Sequence, residues 1–179
     1  MTYTKIAISG KICTGKSTLF NDLQKKLKWP VFQTGKYFRE YVAKKHMTLE
    51  DAAEQNDKLT RKIDYMVRDR LHEKGHLIVD GWMSGIMANK LPDVLTVLLI
   101  CDDDIRAVRF SERERISLDE AKKRVKERLE NWVSKLKKIY NRDDFFDKKN
   151  YNLVIDTSHI SSNRVLKIVL DTLSSSPIS

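Results

Sequence analysis

Two patterns of apolar positions take turns along the chain. Short runs, Ile6-Ala7-Ile8, Leu77-Ile78-Val79 and the stretch 94–101 with Thr96 its one polar residue, are apolar nearly throughout, as strands buried on both faces are. Between them, apolar residues recur every three or four positions, the spacing of a helix with one covered face. Leu19, Phe20, Leu23 and Leu27 predict a helix over 16–28, which Pro30 prevents from continuing. A short strand follows at 31–33, and Gly35 opens a helix through Phe38 and Val42. Thr48 followed by Asp51 resembles a capping box, and 59–73 reads as a helix that stops at Gly75. A strand at 76–79 is closed by Asp80-Gly81. Ser117 with Glu120 caps a long basic helix reaching about Tyr140. A strand at 152–156, an amphipathic helix over 163–173 and a frayed tail at 174–179 complete the series.

Strands that are apolar throughout, alternating with amphipathic helices, predict a parallel sheet covered on both faces, a three-layer α/β domain. Ligands of such folds bind beyond the carboxyl ends of the strands. A chain of 179 residues without repeats or low-complexity segments is read as one domain, 1–179. At 41% hydrophobic and 33% charged residues it has the composition of a globular protein. Its longest apolar stretch falls far below the ~20 residues of a membrane span. No secretory signal is evident at the N-terminus, and Cys13 and Cys101 are too few and too far apart for a disulfide framework or a zinc site. A cytoplasmic protein is the default expectation. The formal charge of +9 is spread among acids along the helices, so it argues for solvated faces or a small polyanionic ligand before nucleic acid.

The chemistry is concentrated at Gly10-Lys11-Ile12-Cys13-Thr14-Gly15-Lys16-Ser17, which fits G-x-x-x-x-G-K-[ST] between a strand and a helix. Gly10 and Gly15 let the backbone curl so that N–H groups converge on phosphate oxygens, and the following helix adds its unpaired N–H groups. Lys16 is placed to neutralise β and γ phosphates, Ser17 to ligate Mg²⁺ and Thr18 to touch the α phosphate. Cys13 is read as a small space-filling residue. Asp80, at the carboxyl end of an apolar strand, is the second candidate for Mg²⁺. A guanine-reading Asn-Lys-x-Asp is missing, since Asn89-Lys90-Leu91-Pro92 has proline in the last place. Asp80-Gly81-Trp82 lacks the glutamate of a motor. A kinase remains, and a kinase needs arginines that close over the reacting phosphates and keep water out. Arg106, Arg109 and Arg113 share one helical face, followed by Arg115, Arg124 and Arg128.

Further segments resemble one family. Gly35-Lys36-Tyr37-Phe38-Arg39 followed by His46-Met47-Thr48-Leu49-Glu50, then Ser111-Glu112-Arg113-Glu114 with Ile116-Ser117, and Tyr151-Asn152-Leu153-Val154-Ile155-Asp156-Thr157-Ser158 are similar in order and spacing to the short, archaeal-type cytidylate kinases, P-loop nucleoside monophosphate kinases. The resemblance implies five parallel strands, a monophosphate-binding region at 35–75 and a lid at 106–142. It implies that Gly35, Arg39, Asp64 and Gly81 serve the acceptor, and that Arg109, Arg113 and Arg128 serve the transferring phosphates. It also implies ATP and Mg²⁺ as cofactors and a monomer acting on a nucleoside monophosphate, CMP or dCMP first, with no membrane or obligatory nucleic-acid partner. The chain departs from the family on the acceptor side. Trp82 stands where an arginine follows the glycine, Tyr65-Met66-Val67 replaces an Arg-Gln pair, and Ser134-Lys135-Leu136 replaces Lys-Arg-Tyr. Two further readings therefore stand: a kinase of the same fold for another acceptor, and an ATP-dependent binding protein.

Overall fold

A computed structural model of the protein describes residues 3–45, 57–88 and 91–175. The expected capping box at Thr48 and Asp51, the segment His46-Met47-Thr48-Leu49-Glu50, the pair Asn89-Lys90 and most of the tail lie outside the described residues.

Five strands form one parallel sheet: β1 (Lys5–Gly10), β2 (Val31–Gln33), β3 (Leu77–Asp80), β4 (Val94–Ile100) and β5 (Leu153–Asp156), in the order β2-β3-β1-β4-β5. The helices are α1 (Lys16–Leu27), α2 (Thr34–Lys45), α3 (Asp57–His72), α4 (Ser84–Met87), α5 (Asp103–Glu114), α6 (Leu118–Tyr140) and α7 (Ser162–Ser174). The predicted three-layer arrangement is therefore what the chain adopts. Short α4 was not anticipated, because four residues carry no usable periodicity. Residue boundaries differ elsewhere by one or two positions. His76, for instance, is outside β3 and stacks on Trp29, ring centroids 4.3 Å apart.

The pleat divides the core. Ile6 and Ile8 of β1 meet Leu19, Phe20 and Leu23 of α1 and Val165 and Val169 of α7 on one face. Ala7, between them in sequence, joins Val67 and Leu71 of α3 and Ala88 on the other face. Each of these side chains is almost fully buried, and Ile6, Ala7 and Ile8 are sealed completely. Val67 and Met66 are thus occupied with the core.

Chain order reverses at β1, which lies between β3 and β4. That switch point opens a crevice at the carboxyl end of β1, where the glycine loop begins. Gly85 lets α4 lie close: a Cβ there would come within 2.4 Å of the Tyr151 ring. The Gly85 N–H donates to Ser9 Oγ at 2.9 Å, tying α4 to β1.

Ser117 caps α6 as its sequence predicts, its Oγ accepting from Glu120 N. The cap makes the turn between α5 and α6, and Arg115 completes it with φ of 56°. Phe110 of α5, Ala121 and Val125 of α6, and Ile12 of the loop form a small apolar cluster, so these two helices pack onto the glycine loop itself.

Candidate active site

The loop from Gly10 to Gly15 takes the backbone turns its glycines allow. Gly10 has φ of 148°, and a Cβ there would lie 2.5 Å from the Leu99 carbonyl of β4. Gly15 has φ of 88° and Cys13 has φ of 61°, so left-handed residues alternate with right-handed ones and turn successive N–H groups inward. No side chain caps α1, whose first N–H groups are left for an anion. Thr14 is buried, and its hydroxyl donates to the Lys11 carbonyl at 2.9 Å. Lys16 Nζ donates to the same carbonyl at 2.8 Å. This half-buried ammonium is pushed below the ordinary lysine range by burial, against the pull of Asp80 and Cys13, with Arg106 and Arg128 pushing further down. A negatively charged ligand relieves that penalty directly. Ser17 and Thr18 are exposed at the mouth of the loop.

Asp80 ends β3 in register with Ile8 on one side and Gln33 on the other. It is almost fully buried and accepts a hydrogen bond from Gln33 Nε2 at 2.9 Å. Among the described residues no group of three or more His, Cys, Asp or Glu forms a metal-ligand cluster. A divalent cation here would therefore have few protein ligands, Ser17 and Asp80, and would share the rest with phosphate and water, as Mg²⁺ does. Gly81 is packed against Thr34 and Ser84, where an added Cβ would meet the Thr34 Oγ1 at 2.6 Å.

The arginines of α5 all face the loop, but each has its own surroundings. Arg106 is among the most deeply buried side chains, 1% exposed. Its Nε donates to the Ile12 carbonyl at 2.9 Å, Nη1 pairs with Asp103, and Nη2 has no partner among the described residues. It props the loop from beneath. Arg109 Nη2 donates to the Thr157 carbonyl at 2.7 Å, and its Nη1 lies 3.4 Å from the Cys13 carbonyl. Exposed Arg113 pairs with Glu114 and sits over the Phe110 ring. The charges of Arg113, Lys16, Arg106 and Arg128 are all felt at Cys13, whose thiol is nevertheless pushed up by burial. Cys13 is thus a poor nucleophile, and the loop is ringed by cations.

Thr157, in the sequence only part of the family-like closing segment, has a place in the site immediately after β5. Its Oγ1 lies 3.1 Å from both the Thr14 and Ile100 carbonyls, and it carries Arg109. Gly15, Thr18, Leu99, Arg109, Thr157 and Val165 line a cavity of about 170 Å³ beside the loop.

Across the crevice, Arg39 is exposed on α2 and folds back toward Gly35, where an added Cβ would stand 3.4 Å from its Nη1. Asp64 of α3 is buried and accepts from Tyr140 Oη of α6 at 2.7 Å. Burial pushes its carboxyl up to about 7, although the Tyr140 hydrogen bond and the Lys135 charge pull the other way. Trp82 is stacked with Trp132 of α6, centroids 5.7 Å apart and planes at 23°. Phe146 leans on Trp82, and Phe38 of α2 meets Trp132 edge-on. Trp132 and Phe146 had no part in the sequence reading, and Tyr140 figured only as a helix end, because nothing local marks residues that meet from separate elements.

A strand, a glycine loop and a helix at the switch point of a parallel sheet, with a buried aspartate on the next strand and arginines over the loop, define a P-loop kinase fold. The family described as AAA domain matches residues 6–131. A cytidylate kinase of Pyrobaculum neutrophilum is 31% identical over 93% of this chain and 90% of its own length. A cytidylate kinase of Thermoplasma volcanium is 31% identical over 94% of this chain and 90% of its own. The shikimate kinase structure from Bacteroides thetaiotaomicron superposes with a TM-score of 0.63 at 15% identity, covering 96% of this chain and 98% of the other, a likeness of fold. The chain belongs to the P-loop nucleoside monophosphate kinase family, in its short, archaeal cytidylate kinase branch. The resemblance read from the segments around Arg39, Arg113 and Thr157 is borne out.

Proposed function

We propose that the protein transfers the γ-phosphoryl group of ATP to a nucleoside monophosphate, with CMP or dCMP the favoured acceptor. The observation that carries this reading is the donor half: a glycine loop with uncapped helix N–H groups, Lys16 on the Lys11 carbonyl, buried Asp80 opposite, and cations around Cys13. Lys16 leaves its carbonyl for the β and γ phosphates, while Arg113 and Arg128 offset charge as it shifts toward the leaving oxygen. Arg109, assigned with them to the transferring phosphates, is held by Thr157 and lines the cavity beside the loop. Ser17 and Asp80 would hold Mg²⁺, which when bound would further neutralise the phosphates. An oxygen of the acceptor's 5′-phosphate attacks the γ phosphorus, the bond to the β-bridging oxygen breaks, and ADP leaves. That acceptor oxygen is already anionic, so no general base is needed.

Gly35, Arg39, Asp64 and Gly81 frame the acceptor side in this reading, with 35–75 as the acceptor region and 106–142 as the lid of a single domain. A monomeric cytoplasmic enzyme is part of the same proposal. Among the described residues no helix is long and apolar enough to cross a membrane. One observation favours a second reading. Trp82 replaces the arginine expected beside the acceptor phosphate, which suits an acceptor other than an ordinary monophosphate.

The test is ADP release from ATP–Mg²⁺ with a panel of monophosphates and small alcohols. Turnover confined to CMP and dCMP supports the first reading, and turnover confined to another acceptor supports the second. ATP binding without acceptor-dependent ADP would overturn both. Lys16→Ala should lower kcat on the order of 100-fold or more, as loss of a transition-state charge contact does. Its circular dichroism and melting should stay close to wild type, since Lys16 bonds only a loop carbonyl.

A further inference from the structure

The four aromatic rings at the crevice come from four separate places in the chain. Phe38 is on α2, Trp82 follows β3, Trp132 is on α6, and Phe146 lies between α6 and β5. They touch in sequence: Phe38 on Trp132 at 6.0 Å, Trp132 on Trp82 at 5.7 Å, and Trp82 on Phe146 at 5.7 Å. All four are partly buried, none of them sealed. Trp82 also packs into the cluster of Ile12 and Phe110, which places the wall directly beside the glycine loop. Lys135 Nζ lies over Trp132 at 5.7 Å, and its ammonium is pushed down by burial.

Partly exposed tryptophans leave some apolar ring surface in water, and their faces suit flat rings. Trp82 borders the Ile12 cluster and Trp132 and Phe146 border Met83, Leu136 and Phe145, yet none is sealed as Ile6 and Leu23 are. Trp82 is only two residues beyond Asp80, which keeps the wall next to the carboxyl end of β3. We infer that the wall formed by Trp82 and Trp132 is the acceptor's binding platform, holding a planar nucleobase by stacking, with the acceptor's phosphate adding little to affinity. This inference rests on the acceptor being a nucleotide, as proposed above. An arginine in place of Trp82 would grip the phosphate. A tryptophan grips the ring and is indifferent to whether a phosphate follows.

The two tryptophans report on the site themselves. Of the three in the chain, Trp29 stacks on His76 away from the crevice, so a Trp29→Phe background leaves emission from Trp82 and Trp132. Cytidine, CMP and ribose 5-phosphate are titrated against that emission, and KM for CMP is measured in Trp132→Leu and Trp132→Phe. Cytidine and CMP should quench alike, with dissociation constants within about threefold, and ribose 5-phosphate should neither quench nor compete. Trp132→Leu should raise KM on the order of tenfold with kcat little changed, as loss of one stacking ring does, and Trp132→Phe should restore most of it. Competition by ribose 5-phosphate without binding of cytidine would overturn the inference. So would CMP turnover with no quench, which leaves the kinase proposal standing. Quenching by cytidine with no monophosphate turned over would support the wall and remove the kinase proposal instead. Should Trp132→Leu fail to fold, the quench in the Trp29→Phe background decides alone.

Discussion

Asp64→Asn tests whether the contact between α3 and α6 carries a proton. The Asp64 carboxyl is buried between the two helices, with Tyr140 Oη donating to it at 2.7 Å. Burial pushes it up to about 7, whereas an unfolded aspartate titrates near ~3.9. Between those values the folded chain keeps a proton that the unfolded chain has lost. Stability therefore falls as pH rises from about 4 to about 7, and this group leaves it level outside that window. The separation of about 3 corresponds to roughly 4 kcal/mol as an upper limit, and screening by water brings the expected effect to about 2 kcal/mol. Asparagine preserves the oxygen that accepts from Tyr140 and cannot ionise. Urea denaturation of both proteins at pH 4.5 and pH 8 gives the comparison. The stability of Asp64→Asn relative to wild type should increase by about 2 kcal/mol between the two pH values. A difference that stays constant with pH, or that shrinks toward pH 8, would refute the reasoning. Acceptor turnover is recorded separately, since Asp64 faces the proposed acceptor side.

The donor side yields two more predictions. Arg106→Met fills most of the buried volume but removes the donor to the Ile12 carbonyl; thermal melts should show a loss of about 1–3 kcal/mol, and ATP affinity by calorimetry should drop on the order of tenfold from the unpropped loop. Thr157→Val keeps the shape while removing the hydroxyl beside the Thr14 carbonyl and Arg109. KM for ATP should rise roughly 3–10-fold, the effect of one lost hydrogen bond, and KM for the acceptor should not change. Equal loss on both substrates would mean that Thr157 supports the whole crevice.

Much of the donor side was legible because its signals are local. A glycine loop between an apolar run and an amphipathic run specifies its own turn, and Gly10, Gly15 and Lys16 lie within seven consecutive positions. Continuous apolar strands likewise announce a sheet covered on both faces, because alternation would leave one face wet. The cap at Ser117 is written in Glu120, three residues on. The arginines of α5 were legible as a face, since helical spacing alone places residues 106, 109 and 113 together.

What each of those arginines does was decided elsewhere. Arg106 became a prop because Phe110, Ala121, Val125 and Ile12 close around the loop, and Arg109 was drawn aside by Thr157, 48 positions away. Strand order put Gln33 beside Asp80, and the path of α6 brought Tyr140 to Asp64 across 76 positions. The aromatic wall is the clearest case: a lone Trp82 reads as a missing arginine, and only the convergence of four elements turns it into a surface. Periodicity and turn chemistry act between near neighbours and so are present in the sequence by itself. Burial, proton affinity and the meeting of distant side chains depend on which elements pack together, and tertiary structure alone determines that.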